Sequence, residues 1–234
     1  MKLAIAGLSG RMGQAIASVA DGAHTLIDAD DAAAAANAEA MIDFSRPDYS
    51  LKMLEFACKH KMPFVSGTTG FSDAQQTQFH EAASTIPVFW ASNMSVGVAL
   101  VAKLVREAAA ALPDAYDIEI LEMHHRDKVD APSGTALTLG QAAAKGRGVD
   151  FDAYKTLSRE GDTGARAKGN IGFATLRGGR VIGDHRVLFA GEHDIIEITH
   201  RSQSRAIYAE GALRAAAWLK DQPARFYAME DLLG

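Results

Sequence analysis

Lys2-Leu-Ala-Ile-Ala-Gly7-Leu-Ser-Gly10-Arg-Met-Gly13 decides how the first half of this chain reads. Lys2 to Ala6 is a short apolar run that ends at Gly7, and from Met12 onward the apolar residues take helical spacing (Met12, Ile16, Val19, Ala20). Strand, glycine turn and helix together give a G-x-x-G-x-x-G sequence a physical meaning. Gly7 permits the tight turn, Gly10 lets the backbone approach a pyrophosphate, and Gly13 allows close helix–strand packing. The first two glycines stand one residue further apart than in G-x-G-x-x-G.

Working outward, His24 to Asp28 reads as a second strand ending in an acid. Asp28 lies about twenty residues beyond the glycine turn, where a carboxylate accepts bonds from adenosine ribose hydroxyls. It competes with a plain turn reading, since Asp30 and Asp31 follow. An acid there would repel a 2′-phosphate, which favours NADH. The alanine-rich piece Ala32 to Ala40 abbreviates the connection to a third strand, Ala40 to Phe44, which leaves through Ser45-Arg46-Pro47. A helix over Tyr49 to His60 leads to the strand Met62 to Ser66 and its exit Gly67-Thr68-Thr69-Gly70. A helix over Ser72 to Ser84 leads to the strand Ile86 to Trp90 and its exit Ala91-Ser92-Asn93-Met94. This alternation predicts a parallel sheet with right-handed crossovers. Small and polar residues at every strand exit suit the carboxyl edge, where such sheets place ligands.

The pattern changes after a long apolar helix, Val96 to Leu112. Ile171 to Leu176, Arg180 to Phe189 and Asp194 to His200 are strand-like, with Gly178-Gly179 and Gly191-Glu192 as turns, which predicts a second, mixed and mainly antiparallel sheet. Gly146 to Asn170 has weak periodicity and reads as a long mobile loop. Ala206 to Lys220 is an amphipathic helix able to return to the first sheet. The fold class expected is α/β: a Rossmann-like parallel sheet from residues 1–94 and 206–234, and an α+β domain from residues 95–205.

The chemistry gathers in Glu119-Ile-Leu-Glu-Met-His-His-Arg-Asp-Lys-Val-Asp-Ala-Pro-Ser-Gly-Thr-Ala136. Ile118 and Ile120 alternate with Asp117, Glu119 and Leu121, so the histidine pair falls where a strand ends. Ser133 reads as a helix N-cap. Behind it, Gly134 and Thr135 bring backbone N–H groups to the positive end of a helix, a site suited to a carboxylate or phosphate. Lys128 adds a point charge. Caps and charged turns are commonly structural; their coincidence with a titratable donor points to a site. Ser133 lacks the G-x-S-x-G context of a hydrolase nucleophile.

Across all 234 residues the formal net charge is −5, against general nucleic-acid binding, so an anionic ligand needs a local field such as His124, His125, Arg126 and Lys128 provide. Cys58 is the only cysteine, which excludes an intramolecular disulfide and a thiolate cluster. His185, His193 and His200 share no metal-ligand spacing and read as structural or surface residues; no metal site is expected. No signal peptide and no membrane-length apolar run are read, and the expectation is a cytoplasmic enzyme.

Several motifs together carry a resemblance. They are Gly7-x-x-Gly-Arg-Met-Gly13, Asp43-Phe-Ser-x-Pro47, Gly67-Thr-Thr-Gly70, Asn93-Met-Ser-Val-Gly97, His124 to Ala136, Arg177-Gly-Gly179, Gly183-Asp-His185 and Thr199-His-x-x-x-Ser-Arg205. The chain resembles the 4-hydroxy-tetrahydrodipicolinate (dihydrodipicolinate) reductase family of the diaminopimelate route to lysine. That resemblance implies His124 as general acid/base and Lys128 as proton donor or carboxylate holder. It implies His125, Gly134 and Thr135 as dicarboxylate-binding residues. Gly7, Leu8, Ser9, Gly10, Arg11, Met12, Gly67, Thr68, Thr69, Ala91, Ser92, Asn93 and Met94 would line NADH or NADPH, with Asp28 on the ribose. It further implies a homotetramer built through the C-terminal sheet. Met94 stands where the family commonly has an aromatic residue, and the region around Asp28 is shorter than usual. Another two-domain dehydrogenase, acting on an amino-acid semialdehyde, would share the first half but lack the His-His-x-x-Lys segment joined to a Pro-Ser-Gly-Thr cap. A catalytically silent nicotinamide sensor or scaffold would be expected to lose His124 or Lys128 first.

Overall fold

Alternation of apolar runs with helices sets the first part of the chain. β1 (Lys2–Ala6), α1 (Arg11–Val19), β2 (Thr25–Asp28), α2 (Ala32–Ala35), β3 (Ala40–Asp43), α3 (Pro47–His60), β4 (Phe64–Ser66), α4 (Asp73–Ala82) and β5 (Val88–Trp90) follow in order. The structure, a computed structural model, describes residues Met1–Gly234 and divides into two units: Met1–Val96 with Arg205–Gly234, and Gly97–Ser204. The second comprises α5 (Val96–Ala111, save its first residue), β6 (Asp117–His124), α6 (Gly134–Arg147), α7 (Phe151–Tyr154), β7 (Lys155–Thr156), β8 (Ile171–Arg177), β9 (Gly183–Ala190) and β10 (Ile195–Ser202). The chain then re-enters the first unit as α8 (Ala206–Leu219), β11 (Phe226–Tyr227) and α9 (Met229–Leu233).

In the first unit all strands pair in parallel, in the order β11-β5-β4-β3-β1-β2. Both faces are covered, so the strands are apolar nearly throughout, as buried parallel strands must be. Ala4, Ala6, Met41, Phe64 and Val88 pack with Leu54 and Ala57 of α3 and Phe79 of α4. Alternation turns Leu3, Ile5, Ile42, Val65 and Phe89, all fully buried, to the opposite face. There α8 lies against β3, β4 and β5 and beside α1.

Gly211 makes that docking possible. A Cβ at this position would sit 1.8 Å from the backbone oxygen of Met94, on the segment leaving β5. In an open helix, replacing glycine by alanine stabilises by about 1 kcal/mol. Here the clash is with backbone, which cannot swing aside. Gly211→Ala is therefore expected to destabilise the first unit by about 1–3 kcal/mol. A urea titration followed by fluorescence reports it, since both tryptophans, Trp90 and Trp218, belong to this unit. An unchanged or raised midpoint would refute the tight docking of α8.

The second unit is a mixed sheet ordered β10-β9-β6-β8-β7. β10–β9 and β9–β6 are long antiparallel ladders, while β8 runs parallel to β6 and β7 to β8. One face packs on α5 and α6 through Val101, Val105, Leu139 and Ala143. The register forms rows across it: Ile171, Ile118 and Phe189; then Phe173, Ile120 and Val187; then Thr175, Glu122, His185 and His200. On the opposite face stand Leu121, Met123, Leu176 and Leu188, none of them fully buried.

One expectation needs correcting. Gly146 to Asn170, expected to be one long mobile loop, carries regular structure in its first part and is irregular over residues 157–170. Its start completes α6, which ends in a left-handed Gly148 (φ 66°), and α7 and β7 follow. Arg166 fixes the remainder, donating to Glu119 (2.9 Å), Asp117 (2.7 Å) and the carbonyl oxygens of Ile118 and Asn170. Arg159 adds a bidentate pair with Glu119. Weak periodicity here reflects anchoring by side-chain ion pairs, which leave no repeating apolar pattern. No helix is long and apolar enough to cross a membrane.

Candidate active site

Dinucleotide-binding candidates lie along the carboxyl ends of the parallel strands in the first unit. Gly7 takes φ +85°, and a Cβ on it would meet the Phe44 backbone oxygen at 2.8 Å. A Cβ on Gly13 would lie 2.3 Å from the carbonyl oxygens of Gly7 and Leu8. The third glycine thus lets the helix press on the turn itself. Gly10 is the N-cap of α1 and offers no side-chain cap, so the first-turn N–H groups of the helix, beginning at Arg11 and Met12, stay available to an anion. A glycine cradle at an uncapped helix start fits the pyrophosphate of a dinucleotide.

Beside it, Asp43 organises the neighbouring exits. This fully buried carboxylate accepts hydroxyl hydrogen bonds from Ser45 (2.5 Å), Ser50 (2.5 Å), Ser66 (2.7 Å) and Thr68 (2.8 Å). The Thr68 hydroxyl in turn accepts from Ser45 N–H at 2.9 Å, and its carbonyl accepts from Trp90 Nε1 at 2.9 Å. Thr68 therefore spends its hydroxyl inside the protein. Gly67 lies against the Phe44 ring, where a Cβ would stand 2.1 Å from a ring carbon. Met94 is buried. Ala91 donates its N–H to the Ser66 carbonyl and Asn93 Oδ1 accepts from Ser95 N–H, so Ser92 sits on a tied turn. Asp28 ends β2 exposed, accepting from Asp30 N–H at 3.1 Å; Asp31 caps α2, and Asp30 accepts from the Tyr49 hydroxyl.

A second cluster lies in the other unit, and Glu122 is its hub. Alternation along β6 buries Ile118, Ile120, Glu122 and His124 on the helix-covered face. A buried carboxylate needs partners, and this one has them on every side. His124 Nδ1 is 2.6 Å away, Arg177 donates through both terminal nitrogens at 2.9 Å, Ser133 N–H donates at 3.1 Å, and Thr175 Oγ1 donates at 3.2 Å. Burial alone would raise the carboxyl pKa, but the bonds from His124 and Arg177 outweigh it and bring Glu122 down to about 2.

The charged Glu122 fixes what His124 can do. With Nδ1–H donated to the carboxylate, Nε2 is the position left to take up or release a proton. Gly183 keeps that nitrogen approachable: a Cβ there would stand 3.1 Å from Nε2. Parallel pairing of β6 and β8 brings His124 level with Arg177, and antiparallel β9 starts at the same edge.

From this edge the chain runs through His125, half-buried, whose carbonyl accepts from Lys128 N–H. Lys128 Nζ bonds Asp130 at 2.6 Å, and that bond is the main cause holding the Asp130 carboxyl below its ordinary range. Arg177 reaches across to the Asp130 carbonyl at 2.6 Å and ties this loop to β8. The loop delivers Ser133 as N-cap of α6, its Oγ accepting from Ala136 N–H at 3.2 Å. A Cβ on Gly134 would meet nothing within 4 Å, so the helix opens onto unfilled space. His124, Lys128, Gly134 and Thr135 thus belong to one loop-and-helix segment, and the dinucleotide candidates belong to the other unit.

Reading by residue type missed Glu122, Thr175, Arg177, Gly183 and His185 as members of this cluster. His185, expected to be structural or at the surface, is buried with its ring 5.1 Å from that of His124. Extending the Ile118–Ile120 alternation by two more steps would have found Glu122 and put His124 on the buried face. Nothing in the spacing announces Arg177 or His185, which arrive by strand pairing.

The sequence matches two family models, described as dihydrodipicolinate reductase, N-terminus, over residues 20–94, and dihydrodipicolinate reductase, C-terminus, over residues 97–233. It is 45% identical to the 4-hydroxy-tetrahydrodipicolinate reductase of Thiobacillus denitrificans, covering all of this chain and 98% of that protein. It is 47% identical to the enzyme of the same name from Zymomonas mobilis, covering all of this chain and 97% of its relative. The fold is shared with dipicolinate-bound dihydrodipicolinate reductase from Paenisporosarcina sp. TG-14, at a TM-score of 0.78 and 24% identity over 99% of this chain and 98% of that one. A glycine cradle on a parallel sheet, a carboxylate-held imidazole on a mixed one and full-length relatives thus agree: the chain belongs to the dihydrodipicolinate reductase family.

Proposed function

We propose that this protein reduces 4-hydroxy-tetrahydrodipicolinate with NAD(P)H, using His124 as the general acid/base and Lys128 as a proton donor or carboxylate holder. The observation that carries the roles is the Glu122–His124 contact of 2.6 Å, with Nε2 left beside the space at Gly183. Reduced nicotinamide, when bound, supplies the hydride. Loss of the 4-hydroxyl as water gives the conjugated imine-type ring; hydride addition to that ring would leave negative charge, which His124 meets with a proton held on Nε2 against a fixed carboxylate. His125, Gly134 and Thr135 receive the ring carboxylates, Gly134 and Thr135 at the positive end of α6. Lys128, now on Asp130, exchanges one carboxylate for another without losing its ion pair.

The first unit is the dinucleotide-binding domain. Gly7 to Met12 cradle the pyrophosphate, Gly67 to Thr69 and Ala91 to Met94 line the nicotinamide side, and Asp28 takes the ribose hydroxyls. The second unit binds substrate. Its half-exposed outer sheet face, with Leu121, Met123, Leu176 and Leu188, is the surface through which we assign a homotetramer. A lone cysteine and a small anionic substrate suit a cytoplasmic enzyme.

A steady-state assay with freshly generated substrate, run separately with NADH and NADPH, tests the reading. Reduction is expected with both, and kcat/KM for NADH is expected to exceed that for NADPH by about tenfold. A 2′-phosphate facing Asp28, Asp30 and Asp31 need lose only about 1.4 kcal/mol to give that ratio. No turnover with either nucleotide would remove the function, and preference for NADPH would remove the ribose role of Asp28.

A further inference from the structure

We infer that His185 is a positioning residue for the substrate carboxylate: by holding the Ser133 hydroxyl it sets the opening turn of α6. This rests on the reading of that turn as the carboxylate site.

His185 stands on β9 and is 3% exposed. Its Nε2 lies 3.1 Å from Ser133 Oγ. The same oxygen accepts from Ala136 N–H, and Ser133 N–H is bound to Glu122. These three bonds hold Ser133 at two atoms, N and Oγ, two of them from the strands of the sheet and one from its own helix. Only the bond to His185 ties its hydroxyl rotamer to β9. Glu122 in this way shares two clients, His124 and Ser133, with the imidazole that packs edge-on against His124.

Packing alone does not explain an imidazole here. Its Nδ1 is buried with no partner, a cost that leucine or phenylalanine in the same volume would avoid. The polar atom that repays it is Nε2. Around the ring are Glu122 and His124 from β6, His200 from β10 and Lys128 from the connecting loop. Burial, then the charge of His124, pushes His185 down to about 4, so it stays neutral when His124 is charged.

The test uses the full-length enzyme, with pyridine-2,6-dicarboxylate as the probe of the carboxylate site. His185→Leu is expected to raise both the Kd of this diacid and the KM for substrate by about tenfold, the effect of one lost hydrogen bond in a buried site. The kcat and the KM for NADH should hold. His185→Gln, which carries a polar atom near the position of Nε2, should restore diacid binding. Ser133→Ala should match His185→Leu, and the double variant should be no weaker than either. Unchanged diacid affinity in His185→Leu overturns the inference. So does loss of affinity in which Gln gives no rescue and the two substitutions add, the mark of a merely structural core residue. Should the leucine variant not fold, the glutamine variant and Ser133→Ala decide in the same way. A wild-type enzyme that reduces no substrate and binds no diacid would instead remove the reading beneath it.

Discussion

Replacing His124 by alanine is expected to lower kcat by about 10²–10⁴-fold, the usual cost of losing a positioned general acid, while KM for the dicarboxylate moves little. The split follows from position. His124 reaches the open edge through Nε2 alone, its other nitrogen being committed to Glu122 at 2.6 Å. Carboxylate binding is assigned elsewhere, to His125, the start of α6 and Lys128. The substitution leaves Arg177, Ser133 N–H and Thr175 on Glu122, so the carboxylate keeps most of its partners and the fold should survive. Single-turnover reduction with saturating NADH isolates the chemical step. A kcat within a few-fold of wild type would remove His124 from the mechanism, whatever its geometry.

How much of this was legible follows from which forces write themselves into a linear pattern. The first sheet was readable because Lys2–Ala6, Ala40–Asp43 and Phe64–Ser66 are short apolar runs, each closed by glycine or hydroxyl residues. Buried parallel strands leave that signature. Ser133 was readable because a cap is a local bond, three residues long. By contrast, Arg166 lies 47 residues from Glu119, and His185 lies 52 from Ser133. Bonds across such separations depend on register, which composition does not encode. The alanine-rich stretch after Asp31 held a four-residue helix that no periodicity could reveal. Nor did the residues after Lys220 suggest that Phe226–Tyr227 would extend the parallel sheet beside β5. The bond from the Thr68 hydroxyl to Asp43, 25 residues away, depends on register in the same way.

Glu122→Gln should have the largest effect on the second unit, on stability and turnover together. The side chain keeps its shape but loses its charge, depriving the Arg177 guanidinium of its bidentate carboxylate at a largely buried site. Glu122 titrates at about 2 in the folded protein against 4.5 when free. A depressed carboxyl pKa means stability that is fully present above the unfolded value and drains away as pH falls toward the folded one. The difference corresponds to about 3 kcal/mol at pH 7, falling to about 1 kcal/mol at pH 3. The gap between wild type and variant should shrink by that amount over the same range. Tryptophan fluorescence reports the other unit, so the measurement is amide hydrogen exchange along β6, β8 and β9. Turnover should fall by about 10²-fold or more, because an amide can donate to Nδ1 and so leave the His124 proton on the wrong nitrogen, as in triads whose orienting acid becomes an amide. An equal stability gap at pH 7 and pH 3 would show that Glu122 contributes shape without charge. Normal turnover would show that His124 needs no carboxylate to orient it.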